Sequence, residues 1–169
     1  MVRKLRYEIE PEFAGYTIEK YLKQKKYSHG CLVFLKKTEE GIKRNGAWAY
    51  TRDKLDAGDV LEILFAEEDS SENIVPVEMK LDIVYEDEDI LVINKPADTP
   101  IHPSQGNYDN SLANGVKHYY ESQGESFVFR CINRLDRDTT GLVVIAKNML
   151  SSAALNAAMV NREIHRTYL

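Results

Sequence analysis

The 169-residue chain is 43% hydrophobic and 29% charged, enough apolar content for a packed core in one or two domains. No run approaches the roughly 18 apolar residues that a membrane-spanning helix needs, and the first residues read as too polar for a signal peptide. Two distant cysteines, Cys31 and Cys131, and four scattered histidines supply neither a disulfide framework nor metal-ligand spacing, which fits a reduced, soluble, cytoplasmic protein.

The net charge of −5 conceals a bipolar distribution. Residues 20–54 hold ten Lys or Arg against three acids, residues 55–98 hold fourteen acids against two bases, and residues 130–169 return to a small positive excess. Phosphate contacts require a basic face, not a basic average, so a nucleic-acid partner is compatible with the acidic total.

In chain order, Tyr16–Leu22 reads as a short amphipathic helix. Ile18, Tyr21 and Leu22 stand at i, i+3 and i+4, with Thr17 as its cap. Ser28 caps a second helix through Leu32, Phe34 and Leu35 to the basic pair Lys36-Lys37. Gly41 breaks that helix, and Asn45-Gly46 signals a turn. A strand at Ala47–Tyr50 follows, with Trp48 expected in the core, and Leu55–Phe65 supplies a turn and a closing strand. The polar, acidic run Ala66–Asn73 reads as a linker.

Beyond it the pattern is α+β. Strands are expected near 82–85, 90–94, 127–132, 141–146 and 164–169, with helices at Ser111–Ser122 and Met149–Val160. Both helices cover one sheet, and one sheet face is left free. Glu86-Asp87-Glu88-Asp89 reads as a solvated hairpin turn and not a divalent-ion site. Lys95-Pro96 ends a strand at a cleft wall, and His102 before Pro103 is expected to pack a turn.

The run Asn133-Arg134-Leu135-Asp136-Arg137-Asp138-Thr139-Thr140-Gly141-Leu142 is the most loaded stretch of the chain. It places a carboxylate between two guanidinium groups, in a loop that separates two expected core strands. Spacing alone divides evenly between a surface loop of ion pairs, with Asp138 capping or pairing with Arg134, and a functional site. A carboxylate-based hydrolase lacks a second acid at suitable spacing.

The wording of this run resembles the His-Arg-Leu-Asp-x-x-Thr-Ser-Gly-Leu signature of the RluA-type pseudouridine synthases, with Asn133 and Thr140 as departures. Residues 81–103, containing Asn94-Lys95-Pro96 and His102-Pro103, look like that family's opening motif, with Asp98 where glycine is usual. Ser111–Val116 resembles its next helix start, and Ile164–Tyr168 resembles its Lys-x-Tyr strand, with Arg166 in the lysine position. The resemblance implies an isomerase that turns uridines of ribosomal or transfer RNA into pseudouridine without metal or cofactor. In that reading Asp136 is the catalytic carboxylate, as nucleophile or as base. Tyr168 stacks on the base and helps remove the final proton, while Arg134 or Arg137 holds the strand or fills the vacated space.

Residues 12–66 resemble a small S-four-like RNA-binding domain, which implies phosphate contacts from Lys36, Lys37, Lys43 and Arg44, with Arg166 adding to the RNA surface. The expected organisation is therefore that domain, a linker at 67–79, and the N-terminal part of a synthase domain at 80–169. Because the family's catalytic domain continues for about as long again, a truncated chain is expected. A non-catalytic RNA-binding protein derived from such a synthase stands as the alternative.

Overall fold

The computed structural model describes residues 2–67 and 73–168, so residues 68–72 of the expected linker and Leu169 of the expected last strand lie outside the described residues. The described residues form two compact units, one of residues 2–66 together with 160–168, the other of residues 67 and 73–159.

In the first unit, helices α1 (Ile18–Gln24) and α2 (His29–Lys37) accompany a four-stranded antiparallel sheet. Its strands are β1 (Val2–Glu8), β2 (Ile42–Arg44), β3 (Ala47–Trp48) and β4 (Val60–Ala66), in the order β1-β4-β2-β3. Local chemistry starts each helix. The Thr17 hydroxyl accepts from the Lys20 N–H, and the Ser28 hydroxyl accepts from the Cys31 N–H, each at 3.2 Å. Between β2 and β3, Asn45 and Gly46 take φ of 53° and 80°, the left-handed pair that a two-residue hairpin requires. Ile18, Tyr21, Leu22, Leu32, Leu35, Leu61, Ile63 and Phe65 are buried and make the core. The sequence pattern gave no sign of β1, which pairs with all of β4 from Val2↔Ala66 to Glu8↔Val60. Charged residues at Arg3, Lys4 and Arg6 leave it too little apolar alternation to read.

Trp48 is not in the core. It lies on edge strand β3 and is 50% exposed, because the hairpin ends before this strand can be covered.

In the second unit, β5 (Ile83–Glu86), β6 (Ile90–Lys95), β7 (Arg130–Cys131) and β8 (Gly141–Ala146) form an antiparallel sheet in the order β5-β6-β8-β7. Helix α3 (Leu112–Glu121) packs Leu112, Val116 and Tyr120 against Leu91, Ile93, Val143 and Ile145. Burying each such side chain contributes about 1.5–3 kcal/mol. Helix α4 (Met149–Val160) follows β8. Asn114 ties flanking segments to α3, its amide donating to the Val75 and Tyr108 carbonyls at 2.7 and 2.9 Å. The Asn114 carbonyl accepts from the Val77 N–H at 3.2 Å, so residues 75–77 of the expected linker are held on this unit.

Two strand expectations change. Of residues 127–132 only Arg130 and Cys131 form a strand in register with β8, to which Ile132 adds one backbone bond, and Phe127 instead turns inward and stacks on Tyr120 with ring centroids 4.2 Å apart. Residues 164–168 form no strand, having no ladder partner among the described residues. Among the described residues, no helix is long and apolar enough to cross a membrane.

Candidate active site

The register of β6 and β8 sets Lys95 opposite Gly141, so the end of the Asn94-Lys95-Pro96 strand lies beside the loop of residues 132–140. Lys95 is fully buried, and its ammonium donates to three carbonyls: Pro96 at 2.8 Å, Thr99 at 2.9 Å and Arg137 at 2.8 Å. Burial pushes its pKa below the usual lysine range, while the nearby Asp138 and Asp136 charges oppose that shift. The Arg137 carbonyl also accepts from the Thr99 N–H at 3.2 Å. A second connection crosses the same gap, because Arg137 Nε donates to Asp98 Oδ1 at 2.7 Å. Asp98 takes φ of 58°, so the left-handed turn forms here without the glycine usual in the resembled motif.

On its other side the loop is stitched to β8. The Asn133 amide donates to the Leu142 carbonyl at 2.9 Å, and its oxygen accepts from the Val144 N–H at 2.8 Å. The Ile132 N–H reaches the Val144 carbonyl at 2.8 Å, and within the loop the Thr139 N–H donates to the Asp136 carbonyl at 3.2 Å. Gly141 closes the loop with φ of 131°, a backbone that a side chain would strain.

These bonds present Asp136 to solvent in a cavity of about 320 Å³ formed by residues 100–104 and 134–137. That volume sits at the small end of ligand pockets, which run from about 300 to 1,000 Å³. Arg134, Asp136 and Arg137 all line it, so three sequence-predicted site residues are brought together. His102 lines it too, its ring edge-on to Phe129 at 5.1 Å. Partial desolvation, aided by the Arg134 charge, lowers the His102 pKa below 6.5. Burial pushes the Cys131 thiol up to about 11, so it is not a nucleophile at neutral pH. Asp138 makes no ion pair with Arg134 among the described residues; its charge acts on Lys95 instead.

Residues 89–169 match the family model described as RNA pseudouridylate synthase. Those residues belong to the RNA pseudouridylate synthase family. The ribosomal large subunit pseudouridine synthase D of Escherichia coli O6:H1 is 44% identical over 103 residues, covering 61% of this chain and 32% of that protein. The protein of the same name from Haemophilus ducreyi is 36% identical over 165 residues, covering 95% of this chain and 50% of its own. An uncharacterized RNA pseudouridine synthase of Bacillus subtilis is 33% identical over 152 residues, covering 90% of this chain and 54% of its own. The chain thus spans between about a third and about half the length of these curated relatives.

The remaining candidate residues lie elsewhere. Tyr168 and Arg166 are exposed, group with the first unit, and are not among the residues lining the cavity. Lys36 and Lys37 are exposed at the end of α2, and Lys36 pairs with Glu19 at 2.9 Å. Lys43 pairs with Glu40 at 2.7 Å. Arg44 is more firmly engaged, held by Asp59 and Asp56 at 2.6 Å each, with Asp59 itself buried. Sequence reasoning did not find the anchoring role of Lys95, the Asp98–Arg137 pair or the stitching by Asn133. Among the described residues, no group of three or more His, Cys, Asp or Glu could hold a metal ion.

Proposed function

We propose that this chain is part of an RNA pseudouridine synthase in which Asp136 is the catalytic carboxylate. The observation that carries the reading is the cavity at Asp136, flanked by Arg134 and Arg137 and anchored from behind by Lys95, within the matched family segment. The substrate is a uridine of ribosomal or transfer RNA, extruded from its stack so that the ribose reaches Asp136. Relatives named for the large ribosomal subunit favour ribosomal RNA.

Asp136 acts either as nucleophile at the ribose anomeric carbon or as base at the neighbouring carbon. In the first route the bond to the ring nitrogen breaks and its electron pair leaves on uracil. The uracil rotates, ring carbon five bonds the anomeric carbon, and the carboxylate departs. Carbon five then loses its proton and the ring nitrogen regains one, so the net change is an isomerisation needing no activated water. Arg134, free of ion pairs among the described residues, contacts the RNA backbone. The Arg137–Asp98 pair is solvent-exposed and therefore weak, worth about 0–1 kcal/mol, so a phosphate can replace the carboxylate. Tyr168 stacks on the base and assists the last proton transfer, and Arg166 contributes to the RNA surface.

The S-four-like reading of residues 12–66 assigns phosphate contacts to Lys36, Lys37, Lys43 and Arg44, of which Arg44 also braces the turn at Asp56–Asp59. The protein acts in the cytoplasm, where its RNA substrate resides. Carbodiimide-blocked reverse transcription of treated ribosomal RNA tests the reading. New stops with the wild-type chain, absent with Asp136→Ala, are expected. RNA binding without stops would favour the non-catalytic alternative.

A further inference from the structure

We propose that Trp48 and Tyr50 form a stacking platform for an unpaired nucleobase of single-stranded RNA. The inference deepens the RNA-binding reading of residues 12–66 and rests on it. The two rings stack on each other with centroids 5.7 Å apart and planes at 29°, yet remain 50% and 53% exposed. An edge strand and the segment just after it, holding two large aromatic rings together in solvent, keep apolar surface available for a flat partner.

The platform is rigid before any ligand arrives. Ala49 and Thr51, which alternate with the two aromatic residues, are buried. The Ala49 N–H donates to the Ile42 carbonyl at 2.9 Å. The Tyr50 N–H donates to Asp53 Oδ2 at 2.7 Å, and the Asp53 N–H returns to the Tyr50 carbonyl at 2.9 Å. The Thr51 and Asp53 carbonyls accept from the Glu19 and Ile18 N–H groups at 2.8 and 2.9 Å, which fastens the turn to the start of α1. Such preorganisation lowers the ordering cost of binding.

Charge selects the occupant. Lys43 is the cross-strand partner of Trp48 and shares its face, and its exposed pairing with Glu40 is of the weak, exchangeable kind. The Arg52 guanidinium lies 5.4 Å from the Tyr50 ring centroid. Cations beside exposed rings suit a strand whose phosphates and base faces are both accessible; a duplex hides its base faces.

Trp48 is the single tryptophan of the chain, so its emission reports on this surface directly. The test titrates the 169-residue chain with an oligouridylate of about 12 nucleotides, within the usual range of single-strand sites, and with an RNA duplex of similar length. Trp48 emission is followed alongside the anisotropy of labelled RNA. We expect the single strand to quench Trp48 with the same midpoint as the anisotropy change, and the duplex to leave it unquenched. Trp48→Ala should weaken single-strand affinity by about 5- to 100-fold, and Trp48→Phe by less than about threefold. Circular dichroism of both variants confirms that they fold.

Single-strand binding with unchanged emission and full affinity in Trp48→Ala would overturn this inference alone. So would emission that changes with protein concentration in step with dimer formation, which would assign the surface to a second copy. Failure to bind either RNA would overturn the RNA-binding reading along with it.

Discussion

The Lys95 ammonium donates to the Arg137 carbonyl across 42 residues of sequence, at 2.8 Å. This bond joins the end of a core strand to the loop that carries Asp136, and two further carbonyls complete the coordination of the buried charge. The position of Asp136 thus depends on a side chain that does not line its cavity.

Replacing Lys95 by Met keeps the aliphatic stem but takes the ammonium donor from three carbonyls, of which, among the described residues, only that of Arg137 keeps a second donor, the Thr99 N–H. The loss of charged hydrogen bonds outweighs relief of the buried ammonium, and the variant should be destabilised by about 1–3 kcal/mol in urea unfolding. RNA-modifying activity should fall further than the folded fraction does. Unchanged stability and unchanged turnover together would remove Lys95 from this role.

Asn133 holds the other side of the loop through two bonds to β8. Asn133→Ala should cost about 1–2 kcal/mol, since the Leu142 carbonyl and Val144 N–H lose their side-chain partners. Hydrogen exchange should quicken at Val144 and remain unchanged in β1, which belongs to the other unit.

Glu86 receives the Tyr120 and Tyr119 hydroxyls at 2.7 and 2.9 Å and the Lys147 ammonium at 2.7 Å. Burial raises its pKa, but these donors outweigh burial and bring it below the usual 4.5. A depressed folded pKa means that the contribution is present above about pH 4.5 and is lost as pH falls through the folded value. Wild type should exceed Glu86→Gln by about 1–3 kcal/mol at pH 6–7, with the gap narrowing below pH 4.5. A gap that widens on acidification would contradict the assignment.

The Cys131 thiol, raised to about 11 by burial, and the fully buried Cys31 should both resist aromatic disulfide reagents at pH 8 in the native chain. Both should react in denaturant. Fast labelling of Cys131 in the folded chain would place it outside the environment described.

Legibility in the sequence followed the range of the interaction. Thr17, Ser28 and Asn45-Gly46 act on neighbours within a few residues, so the helix starts and the hairpin could be read directly. The α+β arrangement followed from periodicity in β6, β8 and α3, where apolar residues face one core. β1 was not readable, because a charged strand declares itself only through its partner β4. Trp48 was misplaced because hydrophobicity says nothing about whether an edge strand is covered. At the site, resemblance singled out Asp136, Arg134 and Arg137. The Lys95–Arg137 and Asp98–Arg137 connections span 42 and 39 residues and leave no local pattern.

The most direct test of the account is tritium release from RNA labelled at uridine ring carbon five, because that hydrogen must leave when the base is re-bonded through that carbon. The account predicts release by the wild-type protein and a loss of at least about 10⁴-fold in Asp136→Ala, with RNA affinity retained. Release that persists in Asp136→Ala would contradict the assignment of Asp136, and RNA binding without release by the wild-type chain would contradict the assignment of catalysis to it.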